Sequence, residues 1–262
     1  MIKQNLKELE EKSIYILRES EQRFKNIAAL WSMGKDSTTM LALARKAFLG
    51  KIPFPVIHID NGIDFPETYT FREKLSKKWK LDLIVEKSEI KQDKIGSACC
   101  GVNKADALKE LIKERKFDAI IVSIRRDEHG IRSKERYISP RDEKFRWNYK
   151  DQPAEVWDDY ASKIDAKGHV RVHPLLDWNE IDVWSYIKKE KLPVNPLYFS
   201  RNGFRYRSLG CTHCTVPVKS NAKNVDDIIR ELETTKVEER SGRSMDKEKE
   251  YAMQRLRSLG YM

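Results

Sequence analysis

No apolar run in the 262 residues approaches the length of roughly 18 that would cross a membrane as a helix. The opening Met1-Ile2-Lys3-Gln4-Asn5 lacks the apolar core of a signal peptide. The expectation is a cytoplasmic protein with no membrane partner. Internal repeats and low-complexity segments are also missing, which argues against solenoids and compositional linkers. Cysteine is scarce, with four in the chain, and a cytosolic protein of this size needs no disulfides. The histidines His58, His129, His169, His173 and His213 show no metal-binding spacing with one another. The Gly-x4-Gly-Lys-Ser/Thr spacing of a Walker loop is absent.

What is present is charge. Charged residues make up 35% of the chain, hydrophobic residues 40%, and the formal net charge is +10. A chain this long buries roughly 70% of its unfolded surface, enough for one large domain. A basic surface suits anionic partners such as nucleotides, sulfate or nucleic acid. Much of the charge alternates in sign, as in Lys7-Glu8-Leu9-Glu10-Glu11-Lys12, which serves helix pairs instead.

Periodicity alternates between the two regular structures. Helical spacing over 5–24 precedes a short apolar strand, Ile27 to Trp31, and a helix follows from Ser37 to Phe48. Strands are read at 55–60, 81–85, 119–124 and 170–173, and helices at 66–79, 103–115 and 179–191. This order predicts an α/β fold: a mostly parallel sheet with helices on both faces. Ligands of such sheets bind at the carboxyl ends of the strands, so the loops after Trp31, Asp60 and Ile124 are expected to face one site. Residues 125–165 read as one long polar and aromatic loop. The domain reading is an α/β nucleotide-binding domain over 1–214 and a charged, helical or partly extended tail over 215–262.

Ser32-Met33-Gly34-Lys35-Asp36-Ser37 lies where the first strand turns into a helix. Such a turn points free backbone N–H groups and the positive end of the helix dipole at one place, which suits a pyrophosphate. Gly34 allows close approach, the Ser32 and Ser37 hydroxyls add donors, and Lys35 adds charge.

That loop resembles the pyrophosphate loop of the PP-loop ATP pyrophosphatases, Ser-Gly-Gly-Lys/x-Asp-Ser, within the PAPS reductase-like, adenine nucleotide α-hydrolase-like superfamily. Inside it the chain is most similar to the small, adenylyl-transferring subunits of bacterial heterodimeric ATP sulfurylases. The likeness runs through Leu9 to Glu19, His58-Ile59-Asp60-Asn61-Gly62, Arg125-Arg126-Asp127-Glu128, Arg132 to Arg136 and Ser139-Pro140-Arg141-Asp142. It continues in Pro196 to Phe199, Arg207 to Cys211, Glu239-Arg240-Ser241-Gly242-Arg243 and Gly260-Tyr261. The resemblance implies an enzyme that cuts ATP between its α- and β-phosphates. It places the β- and γ-phosphates, with Mg²⁺, on Ser32, Met33, Gly34, Lys35, Asp36 and Ser37. Asp60 is implied at the adenosine half and Arg141 at the nucleotide. Lys35, Asp36, Arg125, Arg126 and Arg136 are implied in catalysis. A GTPase large subunit is implied as the partner that drives sulfate activation. Two features depart from that family: the link Ser200-Arg201-Asn202-Gly203-Phe204 is shorter than usual, and Cys99-Cys100 is extra.

Cys99-Cys100 with Cys211-Thr212-His213-Cys214 resembles the iron–sulfur pattern of APS reductases, which implies a [4Fe–4S] cluster on four thiolates. Zinc and four unligated thiols are the alternatives. No cysteine follows Cys214, so reduction by a tail thiol is disfavoured. The first functional reading is ATP plus sulfate giving APS and pyrophosphate. The alternative is sulfur transfer to nucleic acid, DNA phosphorothioation or tRNA thiolation, served by a cysteine desulfurase. An APS/PAPS reductase-like protein or a non-enzymatic nucleotide-binding subunit remain as further readings.

Overall fold

The first helix, α1 (Leu6–Arg23), turns Leu9, Ser13, Ile16, Leu17 and Ser20 inward at spacings of three and four, one stripe of a 3.6-residue period. The computed structural model describes residues 6–88, 99–128, 132–148, 152, 155, 168–235 and 239. Ile27-Ala28-Ala29-Leu30 is short and wholly apolar, and it forms β1 (Ile27–Leu30) inside the sheet. There follow α2 (Lys35–Ala47), β2 (Val56–Asp60), α3 (Pro66–Trp79), β3 (Leu83–Lys87), α4 (Cys99–Arg115) and β4 (Ala119–Ile121). Next come β5 (Ile138–Arg141), β6 (His169–Val172), α5 (Glu180–Glu190), the two-residue strands β7 (Phe204–Arg205) and β8 (Val218–Lys219), and α6 (Val225–Thr234).

Six strands form one sheet in the order β3-β2-β1-β4-β6-β5. All neighbours pair in parallel except β5, which runs antiparallel to β6 at the edge. Alternate residues of each strand enter opposite layers, as the period of two requires. Ala29, Val56, Ala119 and Ile121 join the larger core with α1, α2, α3 and α5. Ala28, Ile57, Ile120 and Val122 meet Ala107, Leu108, Leu111 and Ile112 of α4 on the other face. The mostly parallel, two-sided sheet expected from the alternation is therefore present.

Two elements differ from the expectation. The stretch 125–165, read as one loop, supplies the edge strand β5 and two short 3-10 turns. Ile-Ser-Pro-Arg shows no apolar alternation, and its proline is tolerated because the strand is at an edge. Arg141 is fully buried there because Glu135 pairs with it at 3.0 Å. Helix α4 begins at Cys99, four residues before the predicted start. The short 200–204 link closes as a turn with Asn202 at φ 52° and Gly203 at φ 81°, bridged by Arg201 and Phe204. Positive φ at both central residues is the hairpin turn for which Asn-Gly is suited. Beyond it α6 packs on α5 and buries Ile228 in the main core.

Three buried histidines couple this fold to pH. His58 and His173 are each pushed down to about 4, and His169 to about 2, chiefly by burial. His173 donates from Nδ1 to the Arg136 carbonyl at 2.6 Å, while Glu135, Arg141 and Arg171 also face it. Their folded pKa values lie below the unfolded value near 6.5, so the unfolded chain binds more protons in that window. Stability is complete above about pH 6.5 and falls as pH falls, by about 2 kcal/mol per histidine between pH 7 and 5. Urea unfolding at pH 7, 6 and 5 is expected to show this loss, and His173→Gln to remove about a third of it. A pH-independent midpoint over that range would contradict the assignment.

Candidate functional site

The turn from β1 into α2 is shaped by a conflict that burial settles. Met33 sits at φ 58°, in the left-handed region that costs an L-residue roughly 1–2 kcal/mol. Its side chain is 1% exposed in the main core, and burying methionine returns roughly 1.5–3 kcal/mol. The turn thereby leads through Gly34 into α2, which has no side-chain cap. Ser32 and Ser37 hydroxyls lie 3.1 Å apart, the Ser32 N–H donates to Ser37 Oγ at 3.2 Å, and Trp31 Nε1 donates to Thr38 Oγ1 at 3.1 Å. The Lys35 N–H donates to the Tyr198 hydroxyl at 2.9 Å.

Lys35 is 1% exposed, and its ammonium meets Asp36 at 3.5 Å, Glu180 at 3.7 Å and the Glu239 carboxylate. Arg125, fully buried after β4, is bonded to Asp36, to Asp127 at 2.9 Å and to Glu239. Arg207 holds Glu180 at 2.7 Å. Burial alone would raise the Glu239 carboxyl, but Arg125 and then Lys35 outweigh it and hold the group well below the usual range. Burial would lower Arg125, and the charges of Glu239, Asp127 and Glu180 raise it instead. Among the described residues, Lys35, Arg125 and Arg207 thus face Asp36, Asp127, Glu180 and Glu239 in one ion cluster.

The cluster borders a cavity of about 330 Å³. Its wall takes Ser32, Gly34, Lys35 and Asp36 from the loop after β1, His58 and Ile59 from β2, and Val122 to Ile124 after β4. The loops expected to converge do so. Glu128, Arg132, Arg171, Tyr198, Cys211, Cys214 and Glu239 also line it.

The residues singled out in the sequence divide accordingly. Ser32, Gly34, Lys35 and Asp36 line the cavity; Ser37 stands behind Ser32, and Met33 points into the core. Arg125 joins the cluster through Asp36. Arg126 turns away to Asp177 and lies 5.4 Å over the Tyr137 ring. Arg136 is half-buried beside His173, and Arg141 stays on Glu135 and over Trp147. None of these four arginines lines the cavity. Asp60, ending β2, accepts from the Gly62 N–H at 2.8 Å, Tyr69 at 3.0 Å and Arg72 at 2.9 Å. These donors hold its carboxyl low against the opposing effect of burial. His58, Asp60 and Asp64 come within 4.8 Å of one another, but Arg72 and Lys104 already neutralise the two carboxylates.

The Cys211 and Cys214 sulfurs lie 3.2 Å apart, buried against Ile63. The Thr212 N–H donates to the Ile63 carbonyl at 3.0 Å, and Lys104 of α4 reaches Asp64 at 3.3 Å. The Cys-x-x-Cys turn and the first turns of α4 therefore flank one loop, 61–64. The side chains of Cys99 and Cys100 lie outside the described residues, as do His129, Arg240 to Arg243 and Gly260-Tyr261.

Sequence reasoning did not single out Glu239, Glu180, Tyr198, Glu128 or Arg171 as site residues. Glu239 stood in a matching tail motif without a role. Arg171 lies in a strand whose pattern reads only as apolar alternation.

A strand-turn-helix loop opening on a cavity at the carboxyl ends of a parallel sheet defines a nucleotide-binding α/β protein. The family model described as the phosphoadenosine phosphosulfate reductase domain matches residues 26–217, and the chain belongs to that family. It is 38% identical over its whole length to the whole of "Sulfate adenylyltransferase subunit 2" of Buchnera aphidicola subsp. Acyrthosiphon pisum (strain Tuc7). It is 39% identical to the protein of that name from Ectopseudomonas mendocina (strain ymp), covering 98% of each chain. Among solved structures, Candida glabrata FMN adenylyltransferase in complex with ATP superposes with a TM-score of 0.57 at 22% identity, over 81% of this chain. This chain spans 63% of that protein's length. A phosphoadenylyl-sulfate reductase from Candida auris gives 0.54 at 18% identity, over 82% of this chain and 98% of that one. At these identities the structures establish the fold.

Glu239 holds the two cations nearest the loop, so a polyphosphate must compete with it. Glu239→Gln keeps the shape and removes the charge. Isothermal titration with a non-hydrolysable ATP analogue is expected to show about tenfold tighter binding, the effect of one nearby like charge at intermediate dielectric. Weaker binding would mean that Glu239 positions Lys35 and Arg125 for the nucleotide.

Proposed function

We propose that this protein is a nucleotidyltransferase that cleaves ATP between the α- and β-phosphates and passes AMP to sulfate, giving APS and pyrophosphate. The observation that carries the reading is full-length identity of 38% to sulfate adenylyltransferase subunit 2. Geometry supports it. The uncapped start of α2, with Ser32 and Ser37, presents donors suited to a leaving pyrophosphate. Lys35 and Arg125 supply charge once Glu239 yields them.

In this reading a sulfate oxygen attacks the α-phosphorus in line. The bond from that phosphorus to the bridging β-oxygen breaks, and the pyrophosphate leaves carrying the electron pair. Asp36 keeps Lys35 and Arg125 in register beside the loop. Mg²⁺ would enter with the nucleotide and neutralise the pyrophosphate, with the Asp36 carboxylate at the cavity wall suited to face it. The relatives' name denotes one subunit of an enzyme, so a second subunit is proposed as partner, a GTPase that couples the uphill step. A cytoplasmic location goes with that role; among the described residues no helix is long and apolar enough to cross a membrane.

A [4Fe–4S] cluster is part of the proposal. Cys211 and Cys214 are buried, adjacent and on the cavity wall, and they flank the same loop as the start of α4. They would hold the cluster with Cys99 and Cys100. The same cysteines favour the second reading, sulfur transfer to nucleic acid with a cysteine desulfurase as partner.

Two measurements test these statements. With its partner subunit, the wild type is expected to exchange labelled pyrophosphate into ATP only when sulfate is present, and Asp36→Ala to lose at least about 100-fold of this with its fold intact by circular dichroism. Release of ADP and orthophosphate would refute α–β cleavage. Exchange indifferent to sulfate, with tRNA or DNA binding that weakens steeply with salt, would favour the second reading. Protein purified without oxygen is expected to be brown with about four irons per chain, and Cys211→Ser to lose most of the colour. Colourless protein with one zinc would overturn the cluster.

A further inference from the structure

Besides Lys104, which is paired with Asp64 at 3.3 Å, the cavity wall carries two sets of cations. Lys35 belongs to the phosphate loop. Arg132, in the 3-10 turn Arg132–Lys134 before β5, and Arg171, on β6, come from other parts of the chain. The arginines that the resemblance implies in catalysis or at the nucleotide, Arg125, Arg126, Arg136 and Arg141, do not line that cavity. A small anion inside it would therefore meet Arg132 and Arg171 and not those four.

Both guanidiniums are suited to hold an oxyanion. Arg171 is 5% exposed and Arg132 8% exposed, so neither is bathed in the water that weakens surface charge. Arg171 stands on a strand paired on both sides, opposite Ile120 of β4 and Ser139 of β5. A paired strand fixes its Cα more tightly than a loop does. Glu135 accepts from Arg141 at 3.0 Å and from Ser139 at 2.8 Å, and its charge also faces Arg171. Arg132 is anchored on Glu128, itself on the cavity wall. Much of the remaining wall is apolar, including Ile59, Leu108 and Val122. Apolar walls around a fork of planar donors favour a compact, divalent, tetrahedral anion over an extended polyanion.

We propose that Arg171, with Arg132, forms the subsite for the acceptor oxyanion and sets its specificity. The phosphate loop takes the pyrophosphate end of ATP, and Arg171 presents the sulfate oxygen to the α-phosphorus. This inference rests on the sulfate reading above and assigns its acceptor pocket to two arginines other than those four.

The test splits the two substrates. Sulfate-dependent pyrophosphate exchange is measured with the partner subunit present, varying sulfate and ATP separately, for wild type, Arg171→Lys, Arg171→Gln and Arg132→Lys. Arg171→Lys keeps the charge and loses the fork, so it is the variant least prone to misfold. The expected result is a rise of at least about tenfold in KM for sulfate, a parallel rise for selenate, and a KM for ATP within about twofold of wild type. Analogue binding and the thermal midpoint report that the variants are folded. An unchanged sulfate KM in Arg171→Lys, or equal increases for sulfate and ATP, overturns the assignment while leaving the sulfate reading intact. Wild-type exchange that ignores sulfate overturns both.

Discussion

An ammonium group at 1% exposure is the constraint around which this molecule is organised. Removing an ion from water costs several kcal/mol unless opposite charges and hydrogen bonds surround it. Lys35 meets that cost with partners from separated parts of the chain: Asp36 on its own helix, Glu180 at the start of α5, and Glu239 beyond α6. Arg125 binds the same Glu239 and Asp36, and through Asp127 it reaches α5 again, since Asp127 accepts the Glu180 N–H at 2.8 Å. The phosphate loop, the end of β4, the N-terminus of α5 and the residue at 239 are thus fixed by one electrostatic unit. Removing one of the cations leaves its carboxylates buried with charge uncompensated, which is a larger penalty than the pair contributes.

The same unit explains how a site can be stable without ligand and still accept one. The cations proposed to meet a triphosphate are held by carboxylates, so they are neither solvated nor randomly oriented. Binding then becomes an exchange of one anion for another, and the net cost is the difference between a carboxylate and a phosphate on the same cations. Such exchange needs one carboxylate that can leave. Asp36 and Glu180 sit in helices. Glu239 lies past the end of α6, so it is the member whose release disturbs the least secondary structure.

Much of the fold was legible because it rests on local signals. The apolar strands, the 3.6-residue stripes and the Gly34 turn each follow from neighbours in sequence, and they place three loops at one cavity. The missed elements depend on partners far away in the chain. Ile138-Ser139-Pro140-Arg141 becomes a strand because β6 offers an open edge and Glu135 neutralises Arg141; neither shows in four residues. Charge density was a partial guide. The arginine-rich segment 125–141 gives the cavity Arg132, but Arg126 serves Asp177 and Arg141 serves Glu135, and the cavity's other arginine, Arg171, comes from β6. Which arginine faces a cavity is decided by strand register, a tertiary property that composition does not carry.

The net charge of +10 illustrates the same point. In water a surface charge is screened over about 8 Å at physiological ionic strength. The ions around the phosphate loop nearly cancel among themselves, so the excess positive charge resides elsewhere. It can raise the encounter rate with any anion, but it cannot choose between sulfate and a nucleic acid. That choice belongs to the enclosed space. In the proposed reading, nucleotide and acceptor would share the cavity of about 330 Å³, and its Ile59, Leu108 and Val122 walls suit a compact anion beside the α-phosphate. A polymer would have to thread its backbone past the same apolar wall, losing solvation without recovering it from more than the few cations that line it.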